Sequence, residues 1–446
     1  MAQSAEGERQ HALAVACLAE ASDHPARHDL ANEVHARPFL RIAAPARVTH
    51  LAVLGEPAAA PAQHLQLVTE FCEALGIAPP APAARHLAYN GDGFTLKWER
   101  HTEFSTFTVV GSGQADEPFA DWVDEGHRLP AGWRTLVDRK RLVALQIEVL
   151  KGEPARNARR DRSRWFGDSG QVGSRVLGGG EVWCDWKIGD DGFSRFLVLD
   201  LDFRENQVGR LVQRLAEIET YRLMALLALP VAREMLGQLE NLEARLGEVI
   251  RGMAADHCSG GDADRLLALT ELAGQVEALS AGVSRFSASQ AYDQLVLSRI
   301  QELREERIEG VPTIGEFMER RLSPAMDTCR SVQARQAALA ERLSRAIDLL
   351  RTRVGMVQER QTTELLSGMH RTTATQLKLQ HAVEGLSVVA ISYYAISLLS
   401  HLLRGAEDLG LHVNTPLLEV TLVPAVLMTA FLMIRGVRKG IASGRC

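Results

Sequence analysis

The chain lacks the residue combinations that announce a catalyst. No GxSxG, HExxH or DFG string occurs, no Cys and His stand at nucleophile spacing, and the apolar C-terminal part has no carboxylate pair. The expectation is therefore a protein that is not an enzyme and holds no cofactor. The cysteines, Cys17, Cys72, Cys184, Cys258, Cys329 and Cys446, form no CxxC pair, which argues against a zinc ribbon or a disulfide framework and suits unpaired thiols in a reducing compartment. Charge of one sign is scarce too: the net charge is −6 with 24% charged residues, so no basic field exists to attract nucleic acid. The opening MAQSAEGERQ lacks the basic and then apolar pattern of a secretory signal.

Long apolar runs are confined to two places, Gly385 to Leu403 and Pro416 to Ile434. At about 1.5 Å per helical residue each covers roughly 29 Å, close to the hydrocarbon thickness of a bilayer at roughly 30 Å. The expectation is a soluble body followed by a C-terminal membrane hairpin. The competing reading makes one run a buried core helix, since Pro424 and Glu419 weaken the second. The connector carries Arg404 against Glu407, Asp408 and Glu419, whereas the tail carries Arg435, Arg438, Lys439 and Arg445. The positive-inside rule places the tail, and with two crossings the body as well, in the cytoplasm.

Residues 1–205 read as a cytoplasmic α+β domain. Runs rich in β-formers recur at Val48 to Leu54, Phe94 to Trp98, Phe104 to Val110, Leu142 to Leu150, Glu181 to Ile188 and Phe196 to Phe203, which predicts about six strands in antiparallel pairs. Asn90-Gly91-Asp92-Gly93 is a hairpin signal. Gln63 to Leu75 and Phe119 to Asp124 read as helices covering one face of the sheet. From Glu205 the period turns helical. Residues 206–310 form a helical hairpin, with Pro230 kinking or ending a first segment, Gly260-Gly261 turning the chain, and Asp262 capping a helix to about Ile308. Thr313 and Glu316 form a capping-box pattern. They open the stalk helix of residues 311–384, which leads into the transmembrane helices 385–403 and 416–434, joined by a periplasmic connector 404–415 and followed by a basic tail 435–446. Leu339, Leu343, Ile347, Leu350, Val354 and Val357 recur at spacings of three and four, the seam of a coiled coil, and imply self-association of the long helix.

Three groups of polar residues are candidate sites. His24 and His28 are four apart, and with His35 and Asp29 or Glu33 they have the makings of a metal shell. The competing reading is a capped helix and an Asn/His/Arg network tying the arm to the sheet. Arg156, Arg159, Arg160, Arg162 and Arg164 crowd one segment ahead of Gly178-Gly179-Gly180, a chemistry suited to an anion or an acidic lipid headgroup, against the reading of a solvated basic loop. Walker spacing is missing there, and the adjacent Trp165-Phe166 suits either a membrane-facing loop or a core anchor. Ser387, Tyr394, Ser397 and His401 share one face of the first apolar run, pointing to hydrogen bonding between helices or to a water-filled path.

The strings NEVHARPF (Asn32 to Phe39), GFSRFLVLDLDF (Gly192 to Phe203), RLVQRLAEIETYRLMALLALPVARE (Arg210 to Glu234) and VEGLSVVAISYY (Val383 to Tyr394) resemble a bacterial family of uncharacterised, membrane-anchored proteins, a domain of unknown function. The order of parts is more distantly similar to the CorA-type magnesium transporters, a resemblance that implies a ring of long helices lining an ion path. Their Gly-Met-Asn signature is absent here, where the chain reads Ser400-His401-Leu402-Leu403-Arg404-Gly405-Ala406. The sequence thus implies an anchored, oligomeric scaffold or sensor, with a divergent divalent-cation pathway as the alternative.

Overall fold

A computed structural model describes residues 24, 26–28, 30–31, 39–56, 60–91, 93–113, 117–120, 133, 137, 140–167, 170–255, 261–280, 282–408, 420–421, 423–433 and 435. The chain divides into two compact units: Met1–Arg251 with Ala268–Ser344, and Gly252–Leu267 with Arg345–Cys446.

The first unit is an α/β domain built on a nine-stranded sheet. In chain order its elements are β1 (Ala46–Leu54), α1 (Ala60–Ala74), β2 (His86–Gly91), β3 (Phe94–Arg100), β4 (Phe104–Ser112), β5 (Arg141–Lys151), α2 (Glu153–Asp161), α3 (Ser163–Phe166), β6 (Val172–Val176), β7 (Gly180–Cys184) and β8 (Ser194–Asp200). The strand β9 (Glu306–Arg307) joins from much later in the chain. The sheet order is β2-β3-β4-β1-β5-β8-β7-β6-β9, antiparallel throughout except for the parallel pair β5–β8. Each of the six predicted strands is present. Three more, β2, β6 and β9, were not foreseen. The Asn90–Gly93 signal does turn a hairpin, with Gly91 paired to Phe94; Asp92, and residues 121–124 of the helix expected after Phe119, lie outside the described residues.

Helices lie on both faces of the sheet, not on one. Side chains alternate along a strand, so the register sorts them. On one face Leu51, Val53, Leu96, Trp98, Phe107 and Val109 pack with Leu67, Val68, Phe71 and Cys72 of α1. Further along, Leu150, Trp183, Leu197 and Leu199 pack with Ala155 and Ala158 of α2 and Phe166 of α3. The opposite face, which includes His50, Thr106 and Thr108, meets α4 (Gln207–Leu226). The double cover explains why β1 and β5 are buried almost end to end.

The helices that follow are α5 (Ala228–Ala255), α6 (Asp262–Ser280), α7 (Val283–Leu303), α8 (Ile314–Arg321) and α9 (Ser323–Asp408). Pro230 sits in the first turn of α5, where its missing N–H costs least, and the break falls just before it. The expected single helix from Asp262 to Ile308 is two helices, because the chain turns between Ser280 and Val283. Gly282 allows the turn to pack closely: a Cβ there would lie 3.2 Å from Met235 Sδ and 3.3 Å from Val231. Arg304 then ends α7 in the left-handed conformation, at φ 48°. Thr313 and Glu316 make the predicted capping box at the start of α8. Within the first unit Arg335 of α9 pairs with Glu243 of α5 at 2.8 Å, and Gln336 Nε2 donates to Ser280 Oγ at 3.1 Å.

In the second unit α9 continues without interruption to Asp408, so residues 404–408, expected in the connector, are helical. Its first turns are tied down, as Arg353 pairs with Asp262 at 3.2 Å and donates to the Met253 carbonyl at 3.0 Å, and Leu350 is buried. Beyond Val357 almost every side chain to Gly385 is exposed. Residues 409–419 and 436–446 lie outside the described residues, and Val423–Met433 is a shorter apolar helix.

Gly209 of α4 is where residues 39–43 cross over the helix. A Cβ there would fall 1.9 Å from the Leu40 carbonyl oxygen. Gly209→Ala is expected to cost about 1–3 kcal/mol through this backbone overlap and to loosen residues 39–43, read as a lower unfolding temperature with faster proteolysis at the arm.

Candidate functional site

Between the sheet and α4, in the first unit, lies a partly open cavity of about 250 Å³. Its floor comes from three neighbouring strands. In register, Lys97 of β3, Thr108 of β4 and His50 of β1 form one row across the sheet, and Glu99 and Thr106 begin the next. Its roof is the polar stripe Gln213, Glu217 and Thr220 of α4, spaced at four and three residues so that all face down. Leu40 and Ile42 close one side, and Arg299 of α7 reaches the rim.

His50 locks floor to roof. Its Nδ1 lies 2.8 Å from Thr108 Oγ1 and its Nε2 3.0 Å from Thr220 Oγ1. Burial, helped by the nearby Lys97 and His101 charges, lowers its pKa from 6.5 to about 3, so the ring is neutral and passes a hydrogen bond between two hydroxyls. Lys97 is buried and pairs with Glu99 at 3.1 Å, yet its ammonium makes no well-formed hydrogen bond among the described residues. Gln213 Nε2 donates to Glu217 Oε1 at 2.7 Å, and among the described residues no donor reaches the buried Gln213 Oε1. Arg299 bonds Glu217, and donates to Glu302 at 2.6 Å. Burial works against the Arg299 charge, but those two carboxylates outweigh it and raise its pKa. Around the cavity, two cations face two carboxylates, and Lys97 Nζ on the floor side and Gln213 Oε1 on the roof side are buried atoms whose hydrogen bonding is unfilled among the described residues.

The residues singled out from the sequence lie elsewhere. His24 and His28 are exposed, and His24 Nδ1 accepts from the Ala26 amide at 3.2 Å. His35 lies outside the described residues, and among the described residues no group of three or more His, Cys, Asp or Glu is placed to hold a metal.

The arginine cluster is helical rather than a loop. Ala155 and Ala158 turn inward and the arginines fan out to different partners. Arg156 pairs with Glu153 at 2.8 Å, Arg159 with the buried Glu181 at 2.7 Å, and Arg164 with Glu117 at 2.9 Å. Arg160 bonds Asn157, while Arg162 bonds Gln171 at 3.1 Å and lies over the Trp183 ring. Gly178-Gly179-Gly180 makes the β6–β7 turn, where a Cβ on Gly180 would collide with the Leu199 carbonyl and Phe203. Phe166 is a core anchor, and Trp165 packs beside it.

In the second unit Ser387 donates to the Val383 carbonyl at 2.8 Å and His401 Nδ1 lies 2.7 Å from the Ser397 carbonyl. Ser387, Tyr394 and His401 are exposed and Ser397 is half-buried, so this face bonds its own helix rather than the second apolar one. The covered face is instead the one bearing Val388, Ser392 and Leu399.

Fold and cavity define an α/β domain followed by long helices, two stretches of which, Asp262–Leu303 and Ile314–Leu402, are long and apolar enough to cross a membrane by length and composition. The chain belongs to the family described as Protein of unknown function (DUF3422), whose model matches residues 22–441. No curated protein and no solved structure matches it.

Because the folded state keeps His50 neutral down to about pH 3, it binds fewer protons than the unfolded chain between pH 6.5 and that value. Stability is therefore full above pH 6.5 and falls as pH drops, by at most about 1.4 kcal/mol per pH unit from this group. His50→Gln is expected to flatten the slope of unfolding temperature against pH over that window.

Proposed function

We propose that this protein is a scaffold or sensor held in the bacterial inner membrane by a C-terminal two-helix hairpin, with its α/β domain in the cytoplasm and with self-association through the long helix. The observation that carries the reading is the uncovered apolar surface of the second unit. Leu386 and Tyr394 are each 72% exposed and Met433 73%, with Val389, Ile391, Leu398, Leu402, Leu427, Met428 and Phe431 exposed beside them. Lipid is the solvent that such a surface tolerates. Asp262–Leu303 is a different case, because it is interrupted and buries Leu269, Leu272, Phe286 and Val296 as bundle helices do.

Pairing of the two apolar helices has its own support. Ser392 is 2% exposed on a helix that is otherwise open, and Val423, Val426 and Ala430 are half-covered at spacings of three and four. Small residues at such a contact let helices approach closely in lipid. The exposed Ser387, Tyr394 and His401 face is then free for another copy of the chain, since polar groups facing lipid are costly. A ring of copies meeting on it would be the divergent CorA-like pathway of the second reading. The arginine cluster, with each side chain already partnered, lends nothing to a headgroup site.

The topology is tested by cysteine labelling in intact cells. A Gly410→Cys variant is expected to react with a membrane-impermeant maleimide from outside, whereas the native Cys446 reacts only after permeabilisation. Labelling of Cys446 in intact cells would overturn the orientation. Self-association is tested by the protein mass of the detergent complex in light scattering: a dimer or larger is expected, and a monomer would contradict it.

A further inference from the structure

The cavity between the sheet and α4 is a built site without an assigned occupant. Two polar stripes that elsewhere would face water face each other here: Lys97, Glu99, Thr106 and Thr108 from below, Gln213 and Glu217 from above. Burying Lys97 is costly unless its donors are used. Glu99 takes one contact at 3.1 Å, and the ammonium has three N–H groups to place. Gln213 Oε1 on the other wall, also buried, has no donor among the described residues.

We propose that this cavity binds a small zwitterionic metabolite of the amino-acid class. Its carboxylate takes the spare Lys97 donors with the Thr106 and Thr108 hydroxyls. Its ammonium donates to Gln213 Oε1 and to Glu217. Charge decides the class: His101 apart, the ionic side chains lining the cavity balance, Lys97 and Arg299 against Glu99 and Glu217 with His50 neutral, so a ligand of net charge would add an uncompensated ion to a poorly solvated site. Size agrees, since about 250 Å³ is below the roughly 300–1,000 Å³ of pockets for drug-sized molecules. His50 contributes as a positioning residue: tied to Thr108 and Thr220, it fixes the floor against the roof. Leu40 and Ile42 cover one side, so occupancy is coupled to the arm that crosses at Gly209.

The inference deepens the sensor reading of the α/β domain and rests on it, but binding and anchoring are measured separately. Full-length protein in detergent is titrated with each of the twenty proteinogenic L-amino acids and with glycine betaine, using succinate, putrescine and glycerol as anionic, cationic and neutral controls, and thermal unfolding is followed. At least one zwitterion is expected to raise the unfolding temperature saturably where the controls do not. Lys97→Met and Gln213→Leu, each first shown to unfold cooperatively without ligand, are expected to weaken that ligand by roughly tenfold or more. The proposal is overturned if no zwitterion stabilises the protein, if succinate or putrescine stabilises it more than every zwitterion, or if both variants keep wild-type affinity. Retention of the same protein in the membrane fraction reports on the anchor alone, so loss of one reading is distinguishable from loss of the other.

Discussion

The placement of β1 in the middle of the sheet is the constraint from which the rest of the domain follows. Its backbone pairs with β4 on one side and β5 on the other over nearly its whole length. With both edges satisfied, only its side chains are free to choose surroundings, and they do so strictly by parity. Leu51 and Val53 go to α1, while His50 and Ala52 go to α4. A shift of β3 by one residue against β4 would bury Lys97 and Glu99 among Phe71 and Trp133, so the register of β3 on β4 protects both the core and the cavity.

The two halves of the sheet solve the same problem differently. Around β5, β8 and β7 the α2–α3 side is closed by aliphatic and aromatic packing, and the buried acids there are partnered: Glu181 is met by Arg159 and by Trp183 Nε1, and Glu148 by Arg47 and the Phe119 amide. On the α4 face of β3, β4 and β1 the contact is polar on both sides, held by the hydroxyl–imidazole–hydroxyl bridge through His50. A neutral imidazole suits that place, because it both donates and accepts without bringing a charge. The second unit has the reverse character: its helices carry apolar side chains outward, with their backbone hydrogen bonds satisfied inside each helix.

Much of this was legible in the sequence, and the omissions have physical causes. The six central strands read as apolar runs because they are buried on both faces or flanked by strong turn signals. The missed strands are at or near the edges. β2 (HLAYNG) alternates between half-buried and exposed, β9 has two residues, and β6 (VGSRV) carries a glycine because a Cβ at Gly173 would collide with the Trp183 ring. The cavity was invisible for a different reason. Lys97 and Glu99 on a strand, and Gln213 and Glu217 on a helix, each look like a solvent face, and only the fold turns those faces toward one another. Conversely, the arginine run drew notice by density alone, yet each member is claimed, Arg156 and Arg160 by Glu153 and Asn157 one turn back, and Arg159, Arg162 and Arg164 by Glu181, Gln171 and Glu117 outside the run.

The central claim is that the second unit is solvated by lipid. Its most direct test is flotation of the purified full-length protein, reconstituted into phospholipid vesicles, through a density gradient after a sodium carbonate wash. The account predicts that the protein floats with the vesicles. Protein left at the bottom of the gradient, monodisperse without detergent, would mean that something other than lipid covers Leu386, Tyr394 and Met433, and would contradict it.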